Sequence, residues 1–147
     1  MMTKPKAIIC DIDGCIDPIN DKKKYIKDGN WKAWHDDADK EEPNIWCVEI
    51  LKGMQLLGYE LIFVSARPGE FTEQTTNWII NKSGLRDFEI HLNDNHILDF
   101  AFKLKCYKEI IEPRYDVLFV IDDRQRVVDM WRKQAGLICL QPNFEEN

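Results

Sequence analysis

Lys6-Ala7-Ile8-Ile9-Cys10-Asp11-Ile12-Asp13-Gly14 is an apolar run that stops abruptly in two carboxylates and a glycine. It reads as a buried strand that delivers acids to a ligand. Side chains two apart on an extended backbone point the same way, so Asp11 and Asp13 converge while Ile12 turns back to the core. Gly14 then allows a sharp turn. Such a concentration of negative charge is costly to fold unless a cation, or a substrate held by one, lies between the acids. The plainer alternative is a surface turn in which Asp and Gly terminate a strand.

A second run, Val117-Leu118-Phe119-Val120-Ile121, also ends in acids, Asp122 and Asp123. A third, Glu60-Leu61-Ile62-Phe63-Val64, ends in Ser65-Ala66-Arg67, a hydroxyl and a cation. Open parallel α/β sheets bind ligands at the carboxyl ends of their strands. Acids, hydroxyl and cation would meet at one edge, a combination suited to a phosphate ester bridged to a divalent metal.

The remaining chain alternates helix and strand. Pro43 precedes a helix with Ile45, Val48, Leu51, Met54 and Leu57 at three-residue steps before Gly58; a strand runs over 59–64. The pattern then predicts a helix over 71–83 closed by Gly84, a short strand over 88–92, and a helix over 99–111 stopped by Pro113. A strand over 116–121 follows, then a helix with Val127, Met130, Trp131 and Ala135 inward, then a fifth strand over 137–140. Strict alternation implies a parallel, doubly wound sheet with right-handed crossovers. No internal repeat, low-complexity tract or linker interrupts it.

Composition sets bounds. The 147 residues fit one domain spanning 1–147. No stretch is long and apolar enough for a membrane span and no signal-peptide apolar region is present, so a soluble, cytoplasmic protein with no membrane partner is expected. The five cysteines, 10, 15, 47, 106 and 139, have no Cys-x-x-Cys spacing, which argues against a disulfide framework or a zinc site. They read as small buried hydrophobes, with Cys15 alternatively a reactive thiol at the site mouth. A net charge of −6 argues against a broad, salt-driven grip on nucleic acid. Lys22-Lys23-Lys24, or Arg124, Arg126, Arg132 and Lys133, could still form a local basic patch, while the acidic run over 36–42 reads as solvated surface. His35, His91 and His96 lack metal-ligand spacing. No phosphate-binding Gly-rich kinase loop is found, and no obligate protein partner is evident.

Asp-Ile-Asp-Gly at 11–14, Ser65 after a strand, Lys103 before a helix, and Ile-Asp-Asp-Arg at 121–124 resemble, in order and spacing, the four motifs of the haloacid dehalogenase-like (HAD) phosphohydrolases. The resemblance spans nearly the whole chain. The stretch 121–132 and Leu57-Gly58-Tyr59-Glu60 are most similar to the phosphatase domain of phage polynucleotide kinases. One departure is the arginine-free stretch 93–102, where those domains are rich in arginine and aspartate; another is Cys15, where the family usually has threonine. The resemblance implies a HAD-like Rossmannoid fold, a five-stranded parallel sheet flanked by helices, with a small cap inserted over about 15–42. Trp31 and Trp34 fall in that cap, as stacking platforms for a base or as its small core.

The resemblance also implies roles. Asp11 is the nucleophile that forms an aspartyl-phosphate, and Asp13 the general acid and then base. Mg2+ is held by Asp11, the Asp13 main-chain carbonyl and Asp122, with Asp123 adjacent and acting through water. Ser65 and Lys103 bind the phosphoryl oxygens, Lys103 being favoured over Lys105 and Lys108 by its place in the motif order. Arg67 either reaches the substrate phosphate or pairs with Glu70. The expected activity is removal of 3′-phosphates from polynucleotide ends, the partner being a phosphorylated substrate, a nucleic-acid 3′ end or a nucleotide. The alternatives are a nucleotidase or small-metabolite phosphatase of the same fold and a non-catalytic binding module.

Overall fold

A computed structural model describes residues 3–18 and 40–142. The expected cap falls mostly outside the described residues, as do Trp31, Trp34, His35, the lysine run 22–24 and most of the acidic run.

Five strands make one parallel sheet: β1 (Lys6–Cys10), β2 (Glu60–Pro68), β3 (Phe88–Asn93), β4 (Asp116–Ile121) and β5 (Cys139–Leu140). Their spatial order is β3-β2-β1-β4-β5, which puts β1 at the centre and β2 and β4 beside it. The order reverses at β1, so the loops after β1, β2 and β4 meet over one crevice. Ala7 pairs with Glu60 of β2 and Val117 of β4.

Helices α1 (Ile45–Leu56), α2 (Thr72–Ser83), α3 (Asp99–Cys106) and α4 (Gln125–Asp129) cover the sheet. Alternation along β1 explains the two cores. Ile8 and Cys10 join Val48, Leu51, Trp78 and Ile79 of α1 and α2 on one face. Ala7 and Ile9 join Phe102, Val127, Val128 and the residues after α4 on the other. Strands buried on both faces read as continuous apolar runs, which is what β1 and β2 show. Gly84, at φ 78, ends α2 in the left-handed conformation. Turns of π type, Tyr107–Ile111 and Met130–Gln134, extend α3 and α4.

In one helix the inward face departs from the expected stripe. Val48 and Leu51 are buried, but Ile45 and Leu57 are 76% and 73% exposed. At about 100° per residue, each three-residue step falls about 60° short of a full turn, so a run of such steps drifts off the core face at both ends.

Candidate active site

β1 ends at Cys10, and the chain turns at once: the Asp17 N–H reaches the Ile12 carbonyl at 2.9 Å and the Gly14 N–H the Asp17 carbonyl at 2.8 Å. Gly14 adopts φ 88, and a Cβ there would overlap the Asp123 carboxylate. Only glycine serves both demands. Because the extended backbone stops before the acids, Asp11 and Asp13 do not leave as a simple parallel pair. They meet different cations.

Asp11 lies on the β4 side, its N–H bonded to the Ile121 carbonyl at 2.9 Å. Its carboxylate is 3.0 Å from the Lys103 ammonium, which also reaches Asp122 Oδ2 at 2.8 Å. Lys103 is buried, whereas Lys105 is exposed and Lys108 lies toward Glu112. Trp131, in the π-type turn after α4, gives its indole N–H to the same Asp122 oxygen at 3.1 Å. The other oxygen, Oδ1, is buried without a hydrogen-bond partner among the described residues.

The charge balance of this cluster is unequal. Burial and then repulsion from Asp122 push the Asp11 carboxyl well above its usual range, against the pull of Lys103. Burial likewise raises Asp123 to about 6, with Asp122 adding to the shift and a hydrogen bond with Asp11 opposing it. Burial by itself would lower Lys103; attraction first from Asp11 and then from Asp122 overrides it and raises its pKa above the lysine range. Three buried acids thus lie together with one ammonium, which pairs with Asp11 and Asp122, and an orphan carboxylate oxygen stands on Asp122. Hard oxygen donors with surplus negative charge fit a divalent cation such as Mg2+.

Asp13 meets Arg67. Its two oxygens accept from Nε at 2.8 Å and from one terminal nitrogen at 2.7 Å, and that nitrogen also reaches Asp17 Oδ2 at 2.7 Å. The other terminal nitrogen donates to Thr75 Oγ1 at 3.1 Å. Arg67 is 2% exposed. The guanidinium thus faces Asp13 and Asp17, two partners that the sequence did not name for it. Ser65 is buried, and its Oγ accepts the Arg67 N–H at 3.1 Å.

Arg124 and Arg126, expected in a basic patch, converge on Asp99 Oδ2 at 2.9 and 3.0 Å. Burial opposes ionisation of Asp99; hydrogen bonds from Arg126 and the Phe100 N–H outweigh it and hold the carboxyl below its usual range. Sequence reasoning missed Asp17, Thr75, Asp99 and Trp131. Only Asp99 carried a signal: it lies four residues before Lys103 on one helix face. Cys15 is fully buried, so its thiol does not stand open at the site mouth, and burial followed by the nearby acids pushes it well above the usual range. The Glu89 carboxylate binds His91 at 2.6 Å, away from the site.

A class C acid phosphatase structure from Bacillus anthracis with tungstate bound matches 95% of this chain at a TM-score of 0.68 and 16% identity, covering 67% of that chain, and so shares the fold. Sheet and strand-end acids together define a HAD-type phosphatase, a hydrolase of phosphoesters. More narrowly, the chain belongs to the family described as the polynucleotide kinase PNKP phosphatase domain, whose model matches residues 5–146.

It is similar to a putative bifunctional polynucleotide kinase/RNA ligase of Autographa californica nuclear polyhedrosis virus, 28% identical over 130 residues and 87% of this chain. It also resembles a chain in the Pnkp1/Rnl/Hen1 complex, with a TM-score of 0.83 and 29% identity over 100% of this chain. It spans 18% of the viral relative and 49% of that chain. Among the described residues, no helix is long and apolar enough to cross a membrane.

Proposed function

We propose that this chain is a magnesium-dependent phosphomonoesterase that works through an aspartyl-phosphate and removes 3′-phosphates from polynucleotide ends. One observation carries the reading: Asp11, at the end of the central strand, faces a buried lysine shared with Asp122, whose second oxygen is left for a cation. Asp11, the Asp13 main-chain carbonyl and Asp122 would hold Mg2+, with Asp123 beside them. The ion would neutralise phosphoryl charge that the acids otherwise repel.

The protein's own groups divide the reaction. An Asp11 oxygen bonds to phosphorus as the bond to the alkoxide breaks, and Asp13 gives the alkoxide its proton. Water then attacks the phosphorus and yields its proton to Asp13, and the Asp11–phosphorus bond breaks to release phosphate. Lys103 and Ser65 hold phosphoryl oxygens, the Ser65 hydroxyl being free to donate because its oxygen already accepts the Arg67 N–H. Arg67, bidentate on Asp13 and backed by Asp17, fixes where that carboxylate points.

The 3′-phosphate of a nucleic-acid end is favoured by membership of the polynucleotide kinase phosphatase family. A second reading, a nucleotidase or metabolite phosphatase of the same fold, is favoured by one observation. Arg124 and Arg126 are drawn onto Asp99, and 93–102 has no arginine, which leaves few cations for further backbone phosphates. The test is catalytic efficiency, with Mg2+ and with chelator, on a 3′-phosphorylated oligonucleotide against 3′- and 5′-mononucleotides and a sugar phosphate. Preference for the oligonucleotide by about tenfold or more supports the first reading. Equal preference for a mononucleotide or sugar phosphate, or better, replaces it with the second. Full turnover in excess chelator overturns the metal requirement in both.

A further inference from the structure

Cys15 occupies a place that the proposed hydrolysis does not use. Its sulfur, an Asp11 oxygen and an Asp123 oxygen lie within 4.8 Å of one another, all three residues being buried. Asp122, whose charge also acts on Cys15, is only 1% exposed, and its Oδ1 has no hydrogen-bond partner among the described residues. Thus a soft sulfur donor stands beside hard carboxylates whose negative charge the single Lys103 ammonium offsets only in part. Thiolates select thiophilic ions such as Cd2+ and Zn2+, whereas Mg2+ has little use for sulfur.

Cys15 shares its core with two further cysteines, Cys10 and Cys47. Cys10, immediately before Asp11, gives its thiol to the Asp11 carbonyl at 3.1 Å and lies 3.7 Å from the Cys47 sulfur. Outer groups of this kind orient a ligand and tune its affinity.

We propose that Cys15, Asp11 and Asp123 form a binding site for a thiophilic divalent cation, overlapping the nucleophile. Coordination replaces the sulfur–hydrogen bond with a sulfur–metal bond and releases the proton to solvent. The bound ion takes an Asp11 oxygen and so competes with phosphoryl transfer. This goes beyond the proposed hydrolysis and does not need it: an ion held by these donors is detectable whatever substrate the chain acts on.

The test titrates Cd2+ into the full chain in magnesium buffer, followed by the ultraviolet thiolate-to-cadmium charge-transfer band and by cadmium NMR. The expected result is a saturable band at a single ion per chain and a resonance in the region of one sulfur with oxygen donors. Cys15→Thr should abolish the band and weaken Cd2+ binding by about tenfold or more, while Cys106→Ser, a buried cysteine in the opposite core, keeps it. If Cys15→Thr does not fold, the parent's resonance still decides, and Asp123→Asn should weaken Cd2+ binding. An all-oxygen resonance, absence of the band in the parent, or a band persisting in folded Cys15→Thr overturns the proposal. So does a resonance for two or more sulfurs, which would place the ion among Cys10, Cys15 and Cys47.

Discussion

Asp123→Asn should make the metal-free protein more stable while weakening its hold on Mg2+. Burial raises the Asp123 carboxyl from 3.8 to about 6, so over that interval the unfolded chain releases a proton that the folded chain retains. The sign follows from linkage. Each step up in pH favours the unfolded state until the folded group also ionises, and the penalty then levels off. At 1.36 kcal/mol per pKa unit, it is about 3 kcal/mol near pH 7.5 and about 0.5 kcal/mol near pH 4. Asparagine is close in shape, carries no charge, and its amide can donate to Asp11. Because Asp11 and Asp122 relax when a neighbour is neutralised, about 2 kcal/mol of the gain should survive, or roughly 4–8 °C in melting temperature for a chain of this size. Thermal melts in chelator across this pH range measure it. Adding Mg2+ should favour the parent, whose folded state binds the ion more tightly. If Asp123→Asn melts at or below the parent in chelator near pH 7.5, or its advantage does not grow with pH, the acid cluster is not the stored electrostatic strain inferred here.

Asp11→Asn should abolish nearly all turnover with the fold intact, an amide being a poor nucleophile, and steady-state rates within about tenfold of the parent would refute the assignment. Asp13→Asn should slow alkyl phosphates far more than an activated aryl phosphate, whose leaving group needs less protonation; equal losses on both would remove Asp13 as the acid. Arg67→Met removes the buried guanidinium that Asp13 and Asp17 share and should cost about 3–5 kcal/mol in denaturant melts. Adding Asp17→Asn should recover part of that loss, and a strictly additive double mutant would contradict the shared pairing. Gly14→Ala must strain a φ of 88 and displace Asp123, so calorimetric Mg2+ affinity should fall by about tenfold or more; unchanged affinity would show that the turn does not position the acid.

Much of the fold was legible because it depends on short-range periodicity. Apolar runs with acids or a hydroxyl at their ends marked β1, β2 and β4, and glycine at 84 marked the end of α2. The boundaries shifted where a local rule met a tertiary one. β2 continues through Ser65 and Arg67 to Pro68 because a neighbouring strand is there to pair with it, Pro68 opposite Asn93. The outer residues of α1 face solvent because a three-residue spacing cannot follow a helix of 3.6 residues per turn.

By itself the sequence determined the chemistry at the strand ends: Asp11, Ser65, Asp122 and Asp123 follow apolar runs, and a parallel sheet brings such ends to one edge. Lys103 was singled out from Lys105 and Lys108 by motif order, and in the fold it is buried between Asp11 and Asp122. What only the tertiary structure decided is which charge meets which. Arg67 lies 54 residues from Asp13 and 50 from Asp17, and Asp99 lies 25 from Arg124. No local pattern encodes such pairs, because a buried ion chooses the partner that the packing leaves within hydrogen-bond reach. Cys15 shows the same division. One position in the chain marks it only as a small residue after a turn, and that the Asp123 carboxylate lies beside its sulfur is decided by the fold.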